Sequence, residues 1–380
     1  MSISFKNIDW LLLLFLVPII LAGLFTMKSF GETQGAEQNI FFNHQLIWLA
    51  VSLIAFFILS ISDLRFLRRT DVLLALFLFF CGLLAILFFA GHVARGAQSW
   101  FKFLGVSFQP SDFMKLVLVL VLAKYFSRRH VAIADFRHIF ISGLYAFVPF
   151  TLVLLQPDFG GAMVIFLVWL GMTLVSGLSK KHLLFVVSTC LILFLILWSF
   201  VLRPYQKARI VSFINPVSDV QGTGYNALQS MIAVGSGQIF GKGVGFGTQS
   251  RLQFLPEYET DFIFSAFAEE WGFIGVIIVL LLYGLVIWRI LSAAMVGGTN
   301  FEILYGMGIA IYFMSHIAIN IGMNIGLLPI TGISLPFMSY GGSHLLTEFI
   351  ALGILMSMRQ YQKAVHRDDM VREFVGVEKL

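Results

Sequence analysis

The sequence predicts an all-α integral membrane protein, a bundle of about ten transmembrane helices with one large extracytoplasmic loop between helices 7 and 8. Three observations lead there. Hydrophobic residues make up 59% of the 380-residue chain and charged residues only 12%, where soluble domains average about 25% charged. Apolar runs long enough for a helix to cross the hydrocarbon core, about 20 residues, recur along the chain. The basic residues lie between those runs rather than in one patch, so the net charge of +5 reads as topology and not as a nucleic-acid surface.

The runs fall near 9–27, 43–61, 72–91, 108–126, 138–155, 159–177, 182–202, 262–291, 302–322 and 339–358. The first lacks a clear A-x-A cleavage site and is followed by more spans, so it reads as a retained helix rather than a signal peptide. An even number of spans puts both termini on one side. With that side cytoplasmic, 16 of the 25 basic residues fall inside, among them Lys6, Arg65, Arg68, Arg69, Arg289 and Arg359, as the positive-inside rule requires. Cys81 and Cys190 lie inside apolar runs and offer neither a disulfide framework nor metal-ligand spacing. The whole chain, 1–380, forms a single polytopic domain with a cytoplasmic tail at 359–380.

Nine basic residues remain outside or within a span: Lys28, Arg95, Lys102, Lys115, Arg203, Lys207, Arg209, Lys242 and Arg251. Singly they read as solvated charges; together around a membrane surface they suit an anionic ligand. Five of them share the segment 203–260, and unstructured loops of that length are uncommon and often functional. Within it, "GYNALQSMIAVGSG" (224–237) spaces Tyr225, Leu228, Met231 and Ile232 for a short interfacial helix. The glycine-rich "GKGVGFGTQS" (241–250) lacks the G-x-x-x-x-G-K-[ST] of a phosphate-binding loop. No nucleotide site is expected, and its glycines allow tight turns over a membrane-embedded core.

Carboxylates at the span boundaries are the candidate chemistry. In "FLPEYETDFIFS" followed by "AEEWGFIG", Asp261 precedes the apolar run Trp271 to Trp288. A continuous helix places it ~12 Å beyond Glu269, at headgroup depth. Asp261, Ser265 and Glu269 repeat every four residues and share one helix face, although Asp is also a favoured helix cap. Glu257 precedes them in the same block. Asp112 and Lys115 in "QPSDFMK" sit three apart on one face, either as a local ion pair or as a functional site, the default for ionisable groups inside a span. Asp158 in "QPDFGGA" reads first as a turn residue. His316, Asn320 and Asn324 form a polar stripe that reads as interhelical hydrogen bonding.

Six ordered blocks, "QPSDFMK", "QPDFGGA", "GYNALQS", "GSGQIFGKGVGFGTQS", "FLPEYETDFIFS…AEEWGFIG" and "GLLPITGISLPFMSYGGS", resemble the signatures of the shape, elongation, division and sporulation (SEDS) family. The resemblance runs from residue 9 to about 360, and the short tails are more similar to its elongation branch. Asp112 departs from the family's Q-P-S-E pattern, keeping the charge and shortening its reach by one methylene. The resemblance implies a ten-helix peptidoglycan glycosyltransferase that polymerises lipid II into a growing glycan strand on the outer face of the cytoplasmic membrane. It further implies a class B penicillin-binding protein and the elongation machinery as partners, and maps the family's essential aspartate onto Asp261.

The chemistry fits that expectation. Joining a β-1,4 bond from an α-linked sugar diphosphate is one inverting displacement. Diphosphate is a good leaving group, so one carboxylate base on the acceptor hydroxyl suffices, where glycosidases need an acid as well. Asp261 is the expected base. Lys115 first, then Arg95, Lys242 or a divalent cation such as magnesium or manganese, would stabilise the departing charge; Asp112, Asp158, Ser265 and Glu257 complete the expected binding set. Two other readings stay open. A lipid II flippase would place its site near the midplane between internal repeats, and a non-catalytic scaffold would tolerate replacement of Asp261 and Lys115.

Overall fold

The computed structural model describes residues 8–34, 39–90, 92–94, 97–103, 106–128, 136–177, 180–196, 199–200, 207, 211, 213, 223–252 and 254–376. Arg95, Arg203 and Arg209 lie outside the described residues.

Helix dominates because leucine, isoleucine, valine and phenylalanine fill the spans, and a helix satisfies every backbone polar group within its own segment, as lipid demands. Seven helices come first: α1 (Trp10–Gln34), α2 (Asn39–Ile61), α3 (Thr70–Ala90), α4 (Pro110–Ser127), α5 (Phe136–Leu155), α6 (Phe159–Val175) and α7 (Lys180–Ile196). Two short helices follow, α8 (Thr223–Ser236) and α9 (Thr248–Arg251), then α10 (Ile263–Met295), α11 (Asn300–Asn324) and α12 (Gly342–Gly376). Among the described residues ten long helices overlap the ten expected spans. Six of them, α1, α2, α3, α5, α10 and α11, are by length and composition fit to cross a bilayer without help. α6 is apolar but shorter. α4 spends Asp112, Lys115 and Lys124 on charge within 18 residues, so it depends on its neighbours for cover.

Those neighbours surround it: α3, α6 and α11 pack against α4, α1 and α11 against α10, and α2 along α12. Tyr305, Tyr312, Phe313, Phe56 and Phe349 fill the middle. The loop between α3 and α4 departs from the all-helical expectation. It forms a three-stranded antiparallel sheet, β1 (His92–Ala94), β2 (Ala97–Phe103) and β3 (Val106–Phe108), with Phe101 opposite Phe108 and Lys102 opposite Ser107. Phe108 carries the sheet onto α4 through Phe113, ring centroids 5.0 Å apart.

Two further expectations change. α8 exists where its periodicity placed it, but the side that docks on α10 is the small-residue one, Ser230, Ala233 and the following Gly237, all buried. And α10 is not continuous: Gly272, with φ 66° and ψ −167°, breaks it at the head of its apolar run.

Candidate functional site

Asp261 stands at the end of a tightly turned segment. Leu255 N–H bonds the Gln249 carbonyl at 3.0 Å, and the Glu257 carbonyl accepts from Thr260 N–H at 3.1 Å and Phe262 N–H at 3.2 Å. Glu257 itself sits at φ 51°, a left-handed conformation uncommon outside glycine and asparagine. The residue at the helix cap is Phe262, without a side-chain cap bond. Residues 262–270 are buried while Asp261 is half-buried.

Three consecutive carbonyls fix this segment. Tyr340 N–H donates to Glu259 at 2.8 Å and the Ser339 hydroxyl to Thr260 at 2.7 Å. The side-chain amides of Asn320 and Asn324 donate to Asp261 at 3.0 and 3.1 Å. Asn324 is locked in turn, its Oδ1 accepting the Ser265 hydroxyl at 2.5 Å, with Ser230 2.6 Å from Ser265. Asn320 also donates to the Ile333 carbonyl at 2.7 Å. Two residues of the expected stripe thus hold the main chain of the candidate base. Burial next to Glu259 pushes the Tyr258 phenol up to about 12, and the same two causes raise Tyr340, so both stay neutral donors.

The surroundings are made of helix N-termini, where unsatisfied N–H groups and the macrodipole favour negative charge. Gln109, the cap of α4, donates its N–H to Ser343 in the first turn of α12 at 3.1 Å and its amide to Asp158 at 3.5 Å. Asp158 caps α6, accepting the Gly161 N–H at 2.7 Å, so the turn reading of this residue holds. Gly160 brings α6 against the 331–333 segment, where an added Cβ would lie 2.6 Å from the Thr331 carbonyl; one on Gly332 would stand 3.4 Å from Asp261 Oδ2. Through Ser339 and Tyr340, α12 also meets the start of α10. Four N-termini, of α4, α6, α10 and α12, therefore gather at the Asp261 end of the bundle.

Below them lies a buried ionic group. Lys115 Nζ is 2.9 Å from Asp112 Oδ1, both almost fully buried; the shorter carboxylate still reaches its i+3 partner. His344 lies 3.7 Å from Asp112 and 2.9 Å from Glu348, and Glu348 accepts the Phe337 N–H at 3.0 Å. His344 and Glu348 were invisible to motif reading; the only signal was an ionisable pair at i,i+4 inside a span.

Other expected residues are employed elsewhere. Lys242 Nζ bonds Glu269 Oε1 at 2.7 Å and Thr248 at 2.8 Å. Glu269, fully buried, also accepts the Gln249 N–H at 3.1 Å. Asp261 precedes α10 and so does not share a helix face with Ser265 and Glu269; those two bind Ser230 of α8, Asn324, and the loop and first residues of α9. Among the described residues no three His, Cys, Asp or Glu side chains are grouped to hold a metal ion.

Comparison with known proteins identifies the family and the fold. The family model FTSW_RODA_SPOVE, described as "Cell cycle protein", covers residues 7–364. Stage V sporulation protein E of Bacillus subtilis is 36% identical over 93% of this chain and 98% of its own. Peptidoglycan glycosyltransferase MrdB of Escherichia coli is 38% identical over 73% of this chain and 75% of its own. Among solved structures, the rod shape determining protein RodA of Thermus thermophilus superposes with a TM-score of 0.68 at 27% identity, covering 93% of this chain and 97% of RodA. A chain of a peptidoglycan synthase complex that coordinates polymerization and crosslinking gives 0.78 at 28%, covering 93% and 98%. With its ten long helices, its ordered sequence blocks and a family match over nearly its whole length, the chain belongs to the FtsW/RodA/SpoVE (SEDS) family of multi-pass membrane proteins.

Proposed function

We propose that this chain is a peptidoglycan glycosyltransferase that polymerises lipid II into β-1,4 glycan strands, with Asp261 as general base. The observation that carries the reading is a half-buried carboxylate whose main chain is fixed at three successive carbonyls, beside four helix N-termini. Relatives named peptidoglycan glycosyltransferase support it. So does substrate geometry: a polyprenyl diphosphate keeps its tail in the bilayer and presents its sugar at headgroup level, where Asp261 stands relative to the apolar run.

In the reaction the acceptor 4-hydroxyl oxygen attacks the anomeric carbon, and its proton passes to Asp261. The carbon–oxygen bond to diphosphate breaks with its electron pair leaving on the phosphate, and the α configuration becomes β. The N-termini of α4, α6, α10 and α12, with Lys115, stabilise the departing charge. Lys242 is paired with Glu269 and Lys115 with Asp112; Lys115, on α4 below the gathered N-termini, is the preferred cation. Asp112 aims it. Any divalent cation would enter with the substrate's diphosphate, where it would offset the leaving group's charge.

The Asp261 end faces outward from the cytoplasmic membrane and both termini face inward in this reading. A class B penicillin-binding protein that crosslinks the strands is the proposed partner, by likeness to the synthase complex. The elongation role rests on likeness to RodA. Glycan-strand synthesis from purified lipid II, by wild type and Asp261→Asn with that partner, tests the proposal. Polymer from the first alone is expected. Equal polymer from both, with the protein folded, removes Asp261 as base, and unchanged turnover in Lys115→Met removes Lys115.

A further inference from the structure

The break in α10 has an unusual filling. Interrupting a helix at the head of its apolar run frees N–H and C=O groups that lipid cannot satisfy. Here the chain between α8 and α9 satisfies them. Lys242 and Gly243 donate their N–H groups to the Glu269 and Glu270 carbonyls, both at 3.0 Å. On the far side of the break, Phe273 N–H donates to Gln238 at 2.9 Å and Ile274 N–H to Ile239 at 3.2 Å. The backbones cross so closely that a Cβ on Gly272 would lie 2.2 Å from the Gly241 nitrogen. Gly241, Gly243 and Gly245 all take positive φ to make the crossing.

The polar groups of this loop turn toward the protein. Lys242 pairs with Glu269, and Gly245 N–H bonds Glu270 at 2.7 Å. Ile239, Phe240, Val244 and Phe246 point the other way. Phe240 is 81% exposed and Phe246 66%, as bare as Phe273 (60%) and Leu281 (63%) on the apolar run of α10 itself. Four backbone bonds to α10 fix the loop at that run's outer end, and its apolar side continues the same uncovered surface.

We infer that residues 239–246 form a re-entrant loop seated in the bilayer, with Phe240 and Phe246 buried among lipid acyl chains at the interface. Aromatic side chains favour that depth, and an apolar face with its polar groups satisfied internally binds it by buried area. The loop pins the helix that leads to Asp261 at a set height, since Ile263 stands ~14 Å up α10 from Gly272. The inference depends on α10 crossing the membrane and not on the role of Asp261.

Nitroxide labels test it. In a Cys81→Ala, Cys190→Ala background, single Phe240→Cys and Phe246→Cys variants are labelled and reconstituted in phosphatidylethanolamine–phosphatidylglycerol vesicles. Collision with oxygen, which concentrates in lipid, is compared with collision with a water-soluble nickel chelate. Leu281→Cys serves as the lipid reference and Thr299→Cys as the aqueous one. Labels at 240 and 246 are expected to favour oxygen as Leu281 does. If they follow Thr299, the loop lies in water or awaits a protein partner, and the inference is overturned. Adding Gly272→Ala should shift both labels toward the aqueous reference; unchanged labels would overturn the claim that the crossing sets the depth.

Discussion

The outermost carboxylates at the two ends of the helix bundle are held by different means. At the end that carries the chain termini, acids are neutralised by arginines: Asp9 by Arg289 at 2.5 Å and Arg359 at 2.7 Å, Glu302 by Arg68, Asp63 by Arg65 at 2.6 Å. At the other end Asp261 is gripped through its own carbonyl and those of the two residues before it. The first arrangement ties helices together and uses up the charge. The second immobilises the backbone while the carboxyl group remains half-buried at a junction of helix N-termini. A candidate base has to be held in position, and here hydrogen bonds to the main chain supply that hold.

Exchanging the two ends' signature residues gives the largest contrast. Asp261→Asn should lower strand synthesis by on the order of 10²- to 10⁴-fold, the worth of a general base, with little change in thermal stability in detergent. Asp9→Asn should do the reverse. It strands two arginines with less than a fifth of their side chains exposed, which costs about 3 kcal/mol and is read as a lowered unfolding midpoint, with turnover per folded molecule retained.

Asn324→Ala probes the grip itself. It removes one donor from the Asp261 carbonyl and the acceptor of Ser265, at about 1–3 kcal/mol. A loosened base predicts a fall of roughly tenfold in kcat with KM little changed; loss confined to stability would reduce Asn324 to a packing role. Glu269→Gln should be milder. It removes the charge from a carboxyl that accepts Lys242 and the Gln249 and Ser250 N–H groups, so about 1–2 kcal/mol is expected, seen as faster amide exchange at Gln249 and Ser250. Arg69→Ala sharpens the other side of the comparison. The pair Arg69–Asp71 is mostly exposed, and its loss should leave the unfolding midpoint unchanged.

The spans, their number and the position of Asp261 beside an apolar run could all be read from the sequence, because hydropathy is local and the sequence blocks are contiguous. What could not be read depends on contacts between distant segments. The Asn320 and Asn324 stripe was legible as hydrogen bonding, but nothing local says that its acceptor is residue 261. Lys242 looked like a ligand cation until the fold brought Glu269 beneath it. The Gly272 break was hidden because tryptophan, glycine and phenylalanine all suit an apolar run, and the segment that heals it lies some thirty residues upstream. The small sheet was overlooked because alternation over "SWFKF" is too short to weigh against the composition around it.

The pairing of α2 with α12 has a bearing on how the molecule comes into being. Roughly 280 residues separate Ile61 from Gly342, which a ribosome delivering about 5–20 residues per second needs roughly 15–60 s to supply. Through that interval α2 waits without its main partner, and Gln45 has neither the Ser339 carbonyl nor the Gly341 N–H that it later binds at 3.1 and 3.2 Å. The last helix to be made also contributes one of the four N-termini and the neighbours of Thr260 and Glu259. A nascent chain therefore cannot assemble the Asp261 site before α12 has emerged.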